Sequence, residues 1–310
     1  MQILHGFEIP AAYRGGCVSI GNFDGVHLGH RRIVETLIRR ARDANRPAVV
    51  FTFDPHPISI LRPEHAPPPL TTSARKVELL GEFGVDCVLL YRTDRALLDL
   101  TPDEFFARIV QGELQATGLV EGPNFFYGHN RAGNVETLRR SCESAGLSFD
   151  AVEPIHLGGR LVSSSEIRGL ISRGEVHTAG ELLGHRYDVE GLVTQGAGRG
   201  RTLGIPTANL TEVKTLLPAD GVYAGAAFVD GRPVAAALNL GPNPTFAEQA
   251  RKLEVHLLDF SGDLYGRPLR VEFWERLRET VRFEGVDRLK EQIAADIARV
   301  RALAEARSPG

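Results

Sequence analysis

Cysteine is scarce in this sequence, and the scarcity excludes two kinds of scaffold. Cys17, Cys87 and Cys142 are the only three in 310 residues. The number is odd and no two lie at a short metal-type spacing. Neither a disulfide framework nor a zinc ribbon is encoded, and the three read as small buried hydrophobes in a reducing compartment. Lysine is nearly as rare: Lys76, Lys214, Lys252 and Lys290 stand among 36 basic residues, the rest being arginine. Neither sign of charge is in excess. A formal net charge of -3 leaves no global basic field for nucleic acid or a membrane surface. Long apolar runs are missing too, so no membrane-spanning segment is expected. Residues 1–6 lack the basic region and apolar core of a secretion signal. The expectation is a cytoplasmic, soluble, globular chain, 43 % hydrophobic and 24 % charged, long enough for two domains.

What is present divides in two. Up to about residue 183, short apolar runs at 17–20, 48–53, 85–91, 116–120 and 149–152 alternate with helical patterns at 31–44, 73–83, 102–110 and 135–145. Such alternation predicts parallel strands joined by crossover helices, a doubly wound, Rossmann-like α/β domain with ligands at the carboxyl ends of its strands. Beyond 183–186 the apolar runs are closely spaced, at 187–194, 222–229, 233–240, 253–259 and 270–275. These predict a mainly antiparallel β-barrel. A long amphipathic helix follows over 286–306, with Leu289, Ile293, Ile297, Val300 and Leu303 on one face. The expected domains are 1–183 and 184–306, with a disordered tail at 307–310.

Residues 21–30 read Gly21-Asn22-Phe23-Asp24-Gly25-Val26-His27-Leu28-Gly29-His30. They lie between an expected strand and an expected helix. Unpaired N–H groups at a helix start carry positive partial charge and attract phosphate. His27 and His30, three apart, share a face of the opening turn. A capped turn with two packed histidines would read the same way. The stretches 51–57 and 122–128, the second carrying Asn124, end other expected strands. Ser164 and Arg168 sit at an expected helix start, where a hydroxyl can cap or contact phosphate and an arginine adds a bidentate fork.

In the second half, Gly198, Arg199, Gly200 and Gly204 form a flexible basic loop of a kind that can approach a phosphate, although a surface loop fits equally. Thr207 and Asn209 alternate along an extended segment, so their oxygens share a face and suit Mg²⁺. Alternation likewise puts Glu254 and His256 on the face opposite Leu253, Val255 and Leu257. A carboxylate there, aimed into a barrel mouth, could act as a general base; an exposed edge-strand carboxylate is the plainer alternative.

Taken together, these segments resemble the prokaryotic bifunctional riboflavin kinase/FMN adenylyltransferase family, over about 18–303. The resemblance also draws on 70–72, 218–224, 239–246 and 262–266. It implies ATP as co-substrate, FMN and FAD as substrate and products, and Mg²⁺. The small-molecule partners are riboflavin, FMN and ATP, with neither nucleic acid nor membrane. It implies Glu254 as the base for the ribityl hydroxyl, Thr207 and Asn209 as Mg²⁺ ligands and 198–204 as a cover over ATP. His27 and His30, with the turn 21–25, are implied at the triphosphate, and Asn124, Ser164 and Arg168 at nucleotide or phosphate. Thr280 stands where the family's glutamate contact to flavin is expected. A single-activity nucleotidyltransferase and a non-catalytic flavin-binding regulator are the alternatives. Oligomeric state is left open.

Overall fold

The computed structural model describes residues 1–196, 200, 204–243 and 248–307. It divides into two compact units, Met1–Pro67 with Thr71–Ser163, and Pro68–Leu70 with Ser164–Gly310. The first contains, in chain order, β1 (Gln2–His5), β2 (Cys17–Ile20), α1 (Leu28–Asp43), β3 (Ala48–Asp54), α2 (Pro57–Leu61), α3 (Ser73–Glu82), β4 (Cys87–Arg92), α4 (Arg95–Leu98), α5 (Pro102–Phe105), β5 (Gly118–Glu121), the hairpin β6 (Phe126–Tyr127) and β7 (Gly133–Asn134), α6 (Val135–Ala145), β8 (Ser148–Ala151), and the hairpin β9 (His156–Leu157) and β10 (Arg160–Leu161).

Six of these strands form one sheet in the order β1-β4-β3-β2-β5-β8, every pairing parallel. The continuous apolar runs are the signature of strands covered on both faces: β2 is buried at all four positions. Helix α1 buries Val34, Leu37 and Ala41, a stripe at helical spacing. The expected helix at 102–110 is α5 continued by a π-helix, Phe106–Glu113.

From β2 the chain builds outward to β3 and β4, then crosses back to β5 and β8. The strand order therefore reverses between β2 and β5, the place where doubly wound sheets hold ligands. Here the two strands part. They pair only at Cys17↔Gly118 and Val18↔Leu119. Beyond that, the Ile20 N–H donates to the Glu121 side chain at 2.7 Å. A crevice thus opens at the carboxyl edge, with the turn after β2 on one side and the turn after β5 on the other.

The second unit opens with α7 (Ser164–Ser172) and α8 (Val176–Leu183). Strands β11 (Tyr187–Thr194), β12 (Ala208–Thr211), β13 (Gly221–Val229), β14 (Arg232–Asn243), β15 (Glu248–Leu257) and β16 (Pro268–Arg278) follow, and then α9 (Val286–Glu305). The strands close a barrel in the order β11-β12-β15-β14-β13-β16, through antiparallel pairings. Tyr187, Tyr223, Phe273, Leu238 and Val255 are at most 1 % exposed, and Tyr223 meets Phe273 edge-on at 5.3 Å. On the outer face, Ala224, Ala226, Ala235 and Ala237 leave room for α9, whose Ile297, Val300 and Leu303 pack there with Leu258 and Trp274. Leu289 and Ile293, expected on the same stripe, are half-buried and lie outside that cluster.

Candidate active sites

In the first unit the turn after β2 is backbone-strained. Phe23 (φ 48°) and the β-branched Val26 (φ 42°) lie in the left-handed region, costing about 1–3 kcal/mol each. The strain is held by bonds from elsewhere in the chain. The Thr71 N–H and hydroxyl donate to Asp24 Oδ1 at 3.2 and 3.4 Å, and the Gly25 N–H donates to Thr71 Oγ1 at 3.2 Å. Asp24, expected at the nucleotide, is 8 % exposed and is the acceptor of these Thr71 bonds.

His27 is the N-cap of α1. Its Nδ1 accepts the His30 N–H at 3.3 Å, so the neutral ring carries its proton on Nε2. The two imidazoles stack at 3.6 Å with planes 14° apart. Gly29 allows this: a Cβ there would stand 3.0 Å from His27 Cε1. Burial, then His27, then Lys76 hold His30 well below the usual histidine range, so its ring is neutral. His30 Nδ1 and Asn22 Oδ1 are buried without a hydrogen-bond partner. The N-terminus of α1, at the crevice of a doubly wound sheet, is suited to an anionic group, and the two orphaned polar atoms beside it leave room for a polar ligand: Asn22 Oδ1 can only accept, so it calls for a donor from that ligand or from water. Asn124 is exposed in the turn after β5, at the same edge of the sheet.

Two polar residues here were not anticipated. Lys76 on α3 is 7 % exposed, and its Nζ donates to Asn22 O, Thr52 Oγ1 and Phe53 O at 3.0, 3.1 and 3.0 Å. Glu121 is 2 % exposed and braces the parted ends of β2 and β5. Rarity was the only sequence signal for Lys76, and Glu121 ends an apolar run.

In the second unit the barrel register lines up the expected kinase residues. Asn209 lies opposite Glu254, and Glu254 opposite Asn239, across β12, β15 and β14. Paired residues share a face, and that face is the outer one, since Leu253 and Val255 are 2 % and 0 % exposed. Glu254 therefore points outward, not into the barrel mouth, and in a closed barrel it is not on an edge. Asn239 joins the set through register, which spacing alone could not reveal. A Cβ on Gly196 would fall 2.2 Å from Asn209 Nδ2, and one on Gly200 would fall 2.3 Å from Ile205 O and 3.4 Å from Thr207 Oγ1. Glycine there lets the loop backbone lie against Thr207 and Asn209. His256 Nδ1 lies 2.8 Å from Pro206 O, which can only accept, so that nitrogen bears the proton and ties β15 to the Thr207 segment. Gly198 and Arg199, expected at the ATP phosphates, lie outside the described residues, and Gly204 is exposed. Thr280 Oγ1 is buried without a partner.

Ser164 opens α7, which lies in the second unit, and Arg168 is on its first turns, with Nε donating to Pro68 O at 3.0 Å.

Comparison with known proteins extends over both units. The FAD synthetase family matches residues 9–166 and the riboflavin kinase family residues 183–304. A bifunctional riboflavin kinase/FMN adenylyltransferase of Pseudomonas fluorescens is 38 % identical over 306 residues, 98 % of each chain. That of Escherichia coli (strain K12) is 36 % identical over 299 residues, 96 % of each. A crystal structure of a Streptococcus pneumoniae protein named as a macrolide-efflux protein shares the fold at a TM-score of 0.86 and 30 % identity, over 97 % of this chain and 99 % of its own. That name stays with that protein; among the described residues here, no helix is long and apolar enough to cross a membrane. Matched in both units, in the same order and along nearly its whole length, the chain belongs to the bifunctional riboflavin kinase/FMN adenylyltransferase family.

Proposed function

We propose that this chain makes FMN and then FAD: its second unit phosphorylates riboflavin with ATP, and its first joins FMN to AMP from another ATP. The observation that carries this is the pair of separate polar sites, one at the crevice of the parallel sheet and one on the barrel's outer face, in a chain of this family.

In the kinase step Glu254 takes the proton of the ribityl 5′-hydroxyl. The hydroxyl oxygen bonds to the γ-phosphorus of ATP and ADP leaves. Asn239, beside Glu254 in the register, orients its carboxylate. Thr207 and Asn209 supply hard oxygen donors against which the loop backbone is already packed, which fits Mg²⁺ shared with ATP phosphates. Among the described residues no group of three or more His, Cys, Asp or Glu forms an independent metal cluster. When bound, the ion neutralises phosphate charge.

In the adenylyl step a phosphate oxygen of FMN bonds to the α-phosphorus of ATP, and pyrophosphate leaves. The nucleophile is already ionised, so no covalent enzyme intermediate is needed. His27 and His30 bind the triphosphate and stabilise charge developing at the α-phosphorus. The orphaned His30 Nδ1 and Asn22 Oδ1 gain partners from nucleotide or ordered water. Asn124 contacts the nucleotide. Three free, buried cysteines fit a reducing, cytoplasmic setting. Incubating the purified chain with riboflavin, ATP and Mg²⁺ and resolving the flavins tests the proposal. FMN followed by FAD is expected; riboflavin returned unchanged would refute it.

A further inference from the structure

A buried ammonium lies under the nucleotide turn. Lys76 Nζ has three N–H groups and three acceptors at hydrogen-bond distance, so its donor capacity is filled. Asn22 O belongs to the turn after β2, Thr52 Oγ1 and Phe53 O to the end of β3, and the lysine itself to α3. The Thr52 hydroxyl also reaches Asn22 O, at 3.3 Å. One side chain thus joins three elements at the point where the strained residues Phe23 and Val26 must be held. The charged and titratable groups around it are Asp24 from the turn, Asp54 from the end of β3 and His30 from α1.

We propose that Lys76 is a positioning residue for adenylyl transfer: its ammonium ties the turn 22–26 to β3 and holds a positive charge beneath the nucleotide phosphates. This rests on the assignment of the turn to FAD formation. An uncharged side chain could fill the same space, but it could neither donate three hydrogen bonds nor attract a polyphosphate. Burying an ammonium is costly unless its hydrogen bonds are made, and here all three are made to groups that shape the site. Burial pushes the Lys76 ammonium down to about 8, against the attraction of Asp24 and Asp54. Above that pH the amine has two N–H groups for three acceptors and no charge. FAD formation therefore falls as pH rises through this range. Riboflavin phosphorylation, whose residues lie in the other unit, does not share that fall.

The test is K76M, with K76Q beside it, in the full-length chain. FMN-to-FAD and riboflavin-to-FMN turnover are each measured from about pH 6 to about pH 10. Misplacing the turn lowers kcat for FAD formation by about 100-fold, with a smaller change in KM for ATP. The wild-type alkaline limb disappears in K76M. Removing the nearby charge raises the pH at which His30 titrates by NMR, while riboflavin phosphorylation is unchanged. Wild-type kcat with the alkaline limb intact in K76M would overturn the proposal. So would loss of FAD formation in both variants that only tracks loss of cooperative unfolding in the first unit, since that would show a purely structural role. Wild-type chain that makes FMN but no FAD would instead refute the assignment of the turn, and this proposal with it.

Discussion

Glu121 places a carboxyl group where two strands separate, and its burial dominates its chemistry. Desolvation pushes it well above the usual carboxylate range, although the Ile20 N–H it accepts works the other way. The folded chain therefore keeps a proton that the unfolded chain releases. Folded-state binding of the extra proton makes stability fall as pH rises from the ordinary carboxylate value through the raised one. The benefit is full below that range and lost above it. Glu121→Gln keeps an acceptor for Ile20 but cannot ionise. The thermal midpoint of the first unit should then vary less with pH and lie higher than wild type under alkaline conditions. A midpoint-versus-pH curve parallel to wild type would contradict this. Legibility at this scale was uneven. His27 and His30 could be read from their spacing because a strand–turn–helix context gives that spacing one geometry. Lys76 and Glu121 could not, because a lysine on a helix and a glutamate ending a strand are ordinary until tertiary contacts bury them. Asp24 was legible as part of the turn, but not as the acceptor that fastens it to Thr71.

Among elements, strand parity transferred well from sequence to structure. Alternation separated Glu254 from Leu253 and Val255, and the barrel keeps that separation. What it could not show was which face is outside, since that depends on closure and on α9 covering the alanine-rich patch of β13 and β14. Short elements escaped as well. β1 is a four-residue edge strand with exposed positions, and β6, β7, β9 and β10 have two residues each, too few for any period to register. Helix α9 was legible from its stripe, but its polar anchor was not. Asp296 is 6 % exposed and meets Arg278 Nη2 at 2.8 Å and Nε at 3.1 Å, with Gln292 adding a bond at 2.9 Å. This fastens the helix to the end of β16, just before the segment carrying Thr280. Asp296→Ala leaves Arg278 half-desolvated and unpaired, and should cost the second unit about 3–5 kcal/mol in denaturant unfolding. A change under about 1 kcal/mol would mean that the pair is worth no more than a surface bridge.

For the whole molecule, two domains and their fold classes were legible because the period of the apolar pattern changes near residue 185. The packing adds α7 and α8 to the barrel unit: α8 buries Val176, Ala179, Leu182 and Leu183 and lies against β11 and β16. We therefore propose that a fragment starting at Ser164 unfolds cooperatively and phosphorylates riboflavin. One starting at Gly184 should have a clearly lower midpoint, having lost side chains worth roughly 1.5–3 kcal/mol each. Equal midpoints would place the boundary after Leu183, as the sequence pattern alone implies. The central claim is that two chemistries reside in two separate sites of one chain, and paired variants test it most directly. Glu254→Gln should abolish riboflavin phosphorylation while still converting FMN to FAD. His27→Ala with His30→Ala should phosphorylate riboflavin normally and accumulate FMN. If either variant, still folded, loses both activities, or if each loses the activity assigned to the other, the two-site account is wrong.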